Sequence, residues 1–124
     1  MSPYELGIAG EELAVERLQR EGMQVLEQRW KDHVYEIDII AFDPATDEIV
    51  FVEVKTRASG SWGRPEDAVD YKKMMRSVRA ANYYIHLHNI QHQARFDVFA
   101  IIMPASGKAK VDYFKDAFYP PLGR

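Results

Sequence analysis

The chain has 124 residues, 47% apolar and 28% charged, with a formal net charge of −3. That length suits one domain with one core, and the mild acidity argues against a generic basic coat for nucleic acids. Without cysteine, disulfides and thiolate chemistry are excluded and a reducing compartment is comfortable.

Residues from about Pro3 to Glu21 predict a helix, with Gly22 as its stop. On a helical wheel Glu11 is flanked by Gly7, Ala14, Val15 and Leu18, a small and apolar face that should turn towards the rest of the fold. An acid on that side needs a partner, and an Arg or Lys is the plain candidate. Gly7, Gly10 and Ala14 would also let the helix approach another element closely. Nothing here has the order of a signal peptide, and no apolar run nears the roughly 20 residues of a membrane span.

Met23 to Trp30 reads as a strand, and Val34 to Thr56 as a hairpin turning on Asp43-Pro44-Ala45-Thr46-Asp47. If the turn is centred between Ala45 and Thr46, Ile40 faces Phe51 and Phe42 faces Ile49. Asp38 then falls opposite Glu53, and Glu36 opposite Lys55. Ile37, Ile39, Ala41, Val50, Val52 and Val54 make a clean apolar face, which a slip of one residue would destroy. The opposite face carries charges inside otherwise apolar runs, costly unless they are paired or bound to a metal. Directly opposed carboxylates about 4.5–5.5 Å apart at Cβ can share a divalent cation; without one they repel, and one tends to keep its proton.

Ala58 to Arg64 reads as a Gly/Ser-rich loop containing Trp62, and Pro65 lies near the start of a long helix towards His88. From Lys55 to Arg79 there are seven basic residues and three acidic ones, which on charge alone describes a solvated face. Trp62, near Arg57 and Arg64, either anchors the loop on the sheet edge or stacks on an unpaired base. His86, His88 and His92 invite a metal reading, but only the last two have helical spacing, and a solvated helix end suits them better. Arg95 to Met103 is a fourth strand, on which Arg95 and Asp97 share a face and can pair. Lys110 to Phe114 is a fifth, before an extended tail. The whole is one α/β domain over 1–124, with a core of about 5–114 and a tail of 115–124.

The ordered set Gly7-x-x-Gly10-Glu11-x-x-Ala14-x-x-x-Leu18-x-x-x-Gly22, Glu36-Ile37-Asp38-Ile39-Ile40-Ala41, Phe51-Val52-Glu53-Val54-Lys55-Thr56-Arg57, Lys72, Ala80-Ala81 and Arg95-Phe96-Asp97-Val98 resembles the YraN-type bacterial proteins. That largely uncharacterised family is similar to archaeal Holliday-junction resolvases and to the PD-(D/E)xK nucleases. The resemblance implies a restriction-endonuclease-like core, a mixed five-stranded sheet flanked by helices. It makes Asp38 the metal-binding Asp, Glu53 and Lys55 the E-x-K element, and Glu11 the helix Glu that completes the site. It makes Arg57 and Lys72 phosphate contacts, and the loop residues Trp62 and Arg64, read on their own chemistry, are the further nucleic-acid-binding candidates. Many members have Gly where this chain has Tyr35, whose bulk would narrow the cleft or stack on a base.

The implied activity is metal-dependent, structure-selective DNA cleavage in repair or recombination, in the cytoplasm and away from membranes. Magnesium or manganese would be held by Asp38 and Glu53 with the Val54 carbonyl, and Glu11 would bind a metal water or a second ion. Branched or single-stranded DNA is the expected partner, with a homodimer or a protein partner possible. The competing expectations are a nucleic-acid-binding module that keeps the nuclease fold without turnover, and a salt-bridge network of Glu36, Asp38, Glu53 and Lys55. The network leaves excess negative charge unless Arg57, Arg95 or a cation supplies the balance.

Overall fold

The computed structural model describes residues 1–60 and 70–118. Helix α1 (Pro3–Arg20) is followed by strands β1 (Gln24–Asp32), β2 (Tyr35–Asp43) and β3 (Glu48–Arg57), helix α2 (Tyr71–Leu87), and strands β4 (Gln93–Ile102) and β5 (Lys110–Phe118). The strands form one sheet in the order β1-β2-β3-β4-β5. All neighbours are antiparallel except β3 and β4, which run parallel across the α2 connection. This is the mixed five-stranded sheet flanked by helices of a restriction-endonuclease-like core.

Helix α1 begins where its sequence says it should. The Ser2 hydroxyl accepts the Glu5 N–H, the Glu5 carboxylate accepts the Ser2 N–H, and Pro3 fills a position that needs no donor. Gly22 ends it in the left-handed region, at φ 91°, where its lack of Cβ costs nothing. Gly10, Ala14 and Leu18 form its buried stripe. A Cβ on Gly10 would lie 2.0 Å from Thr56 Oγ1, so this glycine is what lets α1 rest against the end of β3. Gly7 has open space around it and plays no such part.

The β2–β3 register is the one expected: Ile40 pairs with Phe51 and Phe42 with Ile49. Pairing runs from Asp43 opposite Glu48 to Ile39 opposite Val52. The continuation, Asp38 with Glu53 and Glu36 with Lys55, lies beyond that paired stretch. There the Val54 N–H donates to Asp38 Oδ2 at 2.8 Å, a side chain standing in for a ladder bond. β3 meanwhile stays paired with β4 as far as Arg57, so the sheet opens between β2 and β3 alone.

Both sheet faces are apolar and covered. On the α1 side Ala14 and Leu18 pack with Ile39, Ala41, Val50, Val52, Phe99 and Ile101, and Val54 packs against them. On the α2 side Val78, Ala81 and Tyr84 pack with Ile40, Ile49, Phe51 and Phe96. Ile37 joins this second cluster instead of the first, because strict alternation is lost at Asp38, where pairing stops. Each fully buried side chain of the size of Phe51 or Phe99 contributes about 1.5–3 kcal/mol.

The remaining strands shift slightly from expectation. β1 starts and ends later than Met23 to Trp30, and β5 runs on to Phe118, so the first part of the expected tail is strand. Helix α2 is capped by Asp70, whose carboxylate accepts the Lys73 N–H at 2.8 Å; a start near Pro65 lies outside the described residues. Among the described residues no helix is long and apolar enough to cross a membrane.

Candidate active site

The opening between β2 and β3 is lined with charge. A cavity of about 390 Å³ is bounded by Val34, Glu36, Asp38, Glu53, Lys73, Arg76 and Ser77. A second, of about 220 Å³, is bounded by Glu11, Arg29, Lys31, Glu36, Ile37 and Asp38. Asp38 therefore stands between them, with Glu53 on one side and Glu11 on the other.

Asp38 is the electrostatic centre. Burial pushes its carboxyl up to about 7, and the nearby Glu53 and Glu11 charges push the same way. The Val54 N–H and Lys73 oppose the rise without cancelling it. Glu53 is buried, and its Oε1 meets Lys73 Nζ at 2.8 Å and Lys55 Nζ at 3.8 Å. Burial lowers Lys55, and the second ammonium of Lys73 beside it adds to the effect. For Lys73 the pull of Glu53 outweighs burial, and its ammonium is favoured. Glu11 lies 3.4 Å from Arg29, yet burial leaves its carboxyl raised, with Glu53 contributing. Glu11 thus has the cation expected of an inward-facing acid, and still feels the charge on β3.

Over residues 10–101 the sequence fits the pattern of the uncharacterised protein family UPF0102. It is 42% identical over 118 residues to a UPF0102 protein of Bacteroides thetaiotaomicron, covering 95% of each chain. Identity to the UPF0102 protein of Parabacteroides distasonis is 43% over 117 residues, 94% of each chain. To that of Clostridium perfringens it is 40% over 116 residues, 91% of this chain and 93% of the relative. The chain belongs to the UPF0102 family. The stretch that fits the UPF0102 pattern holds Glu11, Asp38, Glu53, Lys55 and Lys73, and it ends at Ile101, before β5.

The structure of this UPF0102 chain brings Asp38, Glu53 and Lys55 together, with Glu11 across the second cavity. Among the described residues no three His, Cys, Asp or Glu side chains converge as a ready metal cage. The candidate ligand pair is Asp38 and Glu53, and Glu11 stands apart from it with Arg29. Glu36 departs further from the expected network: its side chain is 68% exposed and pairs with Lys31 at 3.3 Å.

Of the expected nucleic-acid contacts, Arg57 is exposed at the end of β3, where its carbonyl accepts the Met103 N–H. Lys72 is exposed on α2, away from Glu53. Trp62 and Arg64 lie outside the described residues. One face of the Tyr35 ring is covered by Tyr83, with centroids 4.6 Å apart. The three histidines go separate ways: His86 to the Asn82 carbonyl, His88 against the Tyr84 ring, and His92 to Asp47 and Phe42.

The α2 lysine at the site is Lys73, which meets Glu53 at 2.8 Å, and not its neighbour Lys72. The signal was present. Lys73, Ser77, Ala80, Ala81 and Tyr84 follow one helical stripe, so Lys73 is a cation on an inward face, as Glu11 is an acid on one.

Proposed function

We propose that this UPF0102 chain is a metal-dependent DNA endonuclease selective for branched, flapped or single-stranded DNA, acting in repair or recombination. One observation carries the reading: Asp38 and Glu53 line one open cavity with Lys73, Lys55 stands beside Glu53, and the Asp38 carboxyl is driven up to about 7 by burial and by its acidic neighbours. Two hard oxygen donors held at that electrostatic cost fit magnesium or manganese, which take few protein ligands and keep several waters. The opening of the β2–β3 pair leaves room for those waters and for a phosphate.

Asp38 and Glu53 would hold the ion, with the Val54 N–H bond to Asp38 Oδ2 fixing the direction of that carboxylate. A bound ion polarises the phosphodiester and lowers the pKa of its water. Lys55, poised by burial to release a proton more readily than an ordinary lysine, orients the attacking water and offsets charge on the phosphate. Glu11, across the second cavity from Asp38, would hold a metal water or a second ion. Lys73 fixes the Glu53 carboxylate. No motif in the sequence reads base edges, so recognition would rest on backbone and shape. Symmetric cutting of a junction would need two such sites, and hence a homodimer or a protein partner.

The test is a labelled panel of four-way junction, flap, duplex and single-stranded DNA with magnesium, manganese or EDTA, with Glu53→Gln alongside. Metal-dependent cleavage that the variant lacks is the expected result. Full cleavage by Asp38→Asn or Lys55→Met would sink this site as the catalyst. One contact favours the rival reading of a non-cleaving DNA-binding module: the 2.8 Å bond from Lys73 meets the Glu53 charge without a metal. Binding without cutting in every metal is that module's signature.

A further inference from the structure

We infer that the outer face of the N-terminal half of α2 is a track for the phosphates of a DNA strand, leading into the Asp38 cavity. The inference rests on the reading above for the identity of the polyanion as DNA. Its own basis is the helix. Lys72, Arg76 and Arg79 follow one another at i, i+4 and i+7, which puts them in one row. All three are exposed, and among the described residues none of them is in an ion pair. With Tyr71 and Met75 they line a shallow cavity of about 270 Å³. Arg76 also lines the cavity that holds Asp38 and Glu53, so the row and the candidate active site share a residue.

The placement of these charges costs stability. Helix α2 holds no acid between Tyr71 and Leu87, and its first turn has none. Cations near a helix N-terminus oppose the macrodipole, and like charges at i, i+4 repel, each by a few tenths of a kcal/mol or more. A surface shaped for stability would carry acids there, as α1 does with Glu5. A row of phosphates removes the repulsion and gains from the dipole. The overall net charge of −3 makes the row a local device and no general property of the chain. Tyr71, 66% exposed at the head of the row, offers a ring to an unpaired base.

The experiment is fluorescence anisotropy of labelled single-stranded DNA and four-way junction in EDTA, across a range of KCl, with wild-type protein and Lys72→Gln/Arg79→Gln. Loss of two phosphate contacts should flatten the plot of log K against log salt by about 1.4 for the single strand. The paired variant Lys110→Gln/Lys115→Gln, on β5, should keep the wild-type slope. An unchanged slope in the α2 variant, or a wild-type protein that binds neither DNA, overturns the proposal. Cleavage with an unchanged slope removes the track and leaves the nuclease reading, whereas a lost slope without cleavage does the reverse.

Discussion

Two clusters of buried charge sit at opposite ends of the β2–β3 pair, and they behave in opposite ways. At the turn end, Arg95 is 6% exposed and donates to Asp97 at 3.0 and 3.2 Å, to Asp43 at 2.8 Å and to Glu48 at 3.1 Å. At the open end, Asp38 and Glu53 face Lys73 and Lys55. By formal count the turn cluster has the greater acidic excess, three carboxylates to one guanidinium. Yet burial, which alone would raise Asp43, is overcome by the Arg95 hydrogen bond and the Ala45 N–H, and Asp43 ends below the usual range. Asp38 is driven up instead. The difference is in donors. Among the described residues Asp97 receives Arg95 twice, the Tyr113 hydroxyl and the Asp116 N–H, while Asp38 receives one backbone N–H. A counted charge excess therefore says little about a metal. Unmet acceptors beside an open cavity say more.

The largest effect that would sharpen this contrast is on stability. Arg95→Met strands three carboxylates and should cost about 3–5 kcal/mol, read as a loss of urea midpoint. Asp38→Asn should keep or raise the midpoint in EDTA and abolish cleavage in magnesium, because an amide oxygen still accepts the Val54 N–H and the charge that burial disfavours at this position is gone. Equal destabilisation by the two substitutions would make both clusters structural. Lys55→Met belongs with Asp38→Asn: it should lower kcat by about 10²- to 10⁴-fold with folding intact.

A smaller effect tests how α1 is held over the open end. Gly10→Ala places a methyl 2.0 Å from Thr56 Oγ1 and 3.1 Å from Thr56 Cβ. Overpacking of this kind costs about 1–3 kcal/mol, offset in part by about 1 kcal/mol of helix propensity. Glu11 rides on the next residue, so cleavage should fall as well. Thr56→Ala in the same chain should restore most of both, since the buried Thr56 hydroxyl has no hydrogen-bond partner among the described residues. Failure of that rescue would mean that α1 is held elsewhere.

How far these two regions could be read in the sequence differs for a physical reason. The hairpin register as far as Ile39 opposite Val52, the carboxylates of Asp38 and Glu53 and the inward Glu11 follow from local periodicity, whereas the end of the pairing at Asp38 does not. The pairing of Arg95 with Asp97 was also legible, because both lie on one face of one strand. Its bonds to Asp43 and Glu48 were not, since they depend on β4 joining β3 in parallel across α2. Tyr35 reads as an open ring until Tyr83 arrives from a helix 48 positions further along. The place of Lys73 at Glu53 likewise needs the angle at which α2 crosses the sheet, which helical spacing alone leaves open.

The last contrast is a difference of sign in pH dependence, measured by urea midpoints in EDTA. Asp43 has a folded pKa below its unfolded value, so its contribution is present above the unfolded pKa and is lost as pH falls through the folded one. Asp38 has the reverse shift, from 3.8 to about 7. Between those values the folded chain binds more protons than the unfolded one, so its contribution falls as pH rises through that window and is flat above it. Asp38→Asn should remove the neutral decline and leave the acid limb; Asp43→Asn should do the opposite. Magnesium should oppose the neutral decline in the wild type, because it binds the ionised carboxylate that burial disfavours. A wild-type profile unchanged by Asp38→Asn would mean that Asp38 is solvated like a surface acid, and the contrast between the two clusters would be gone.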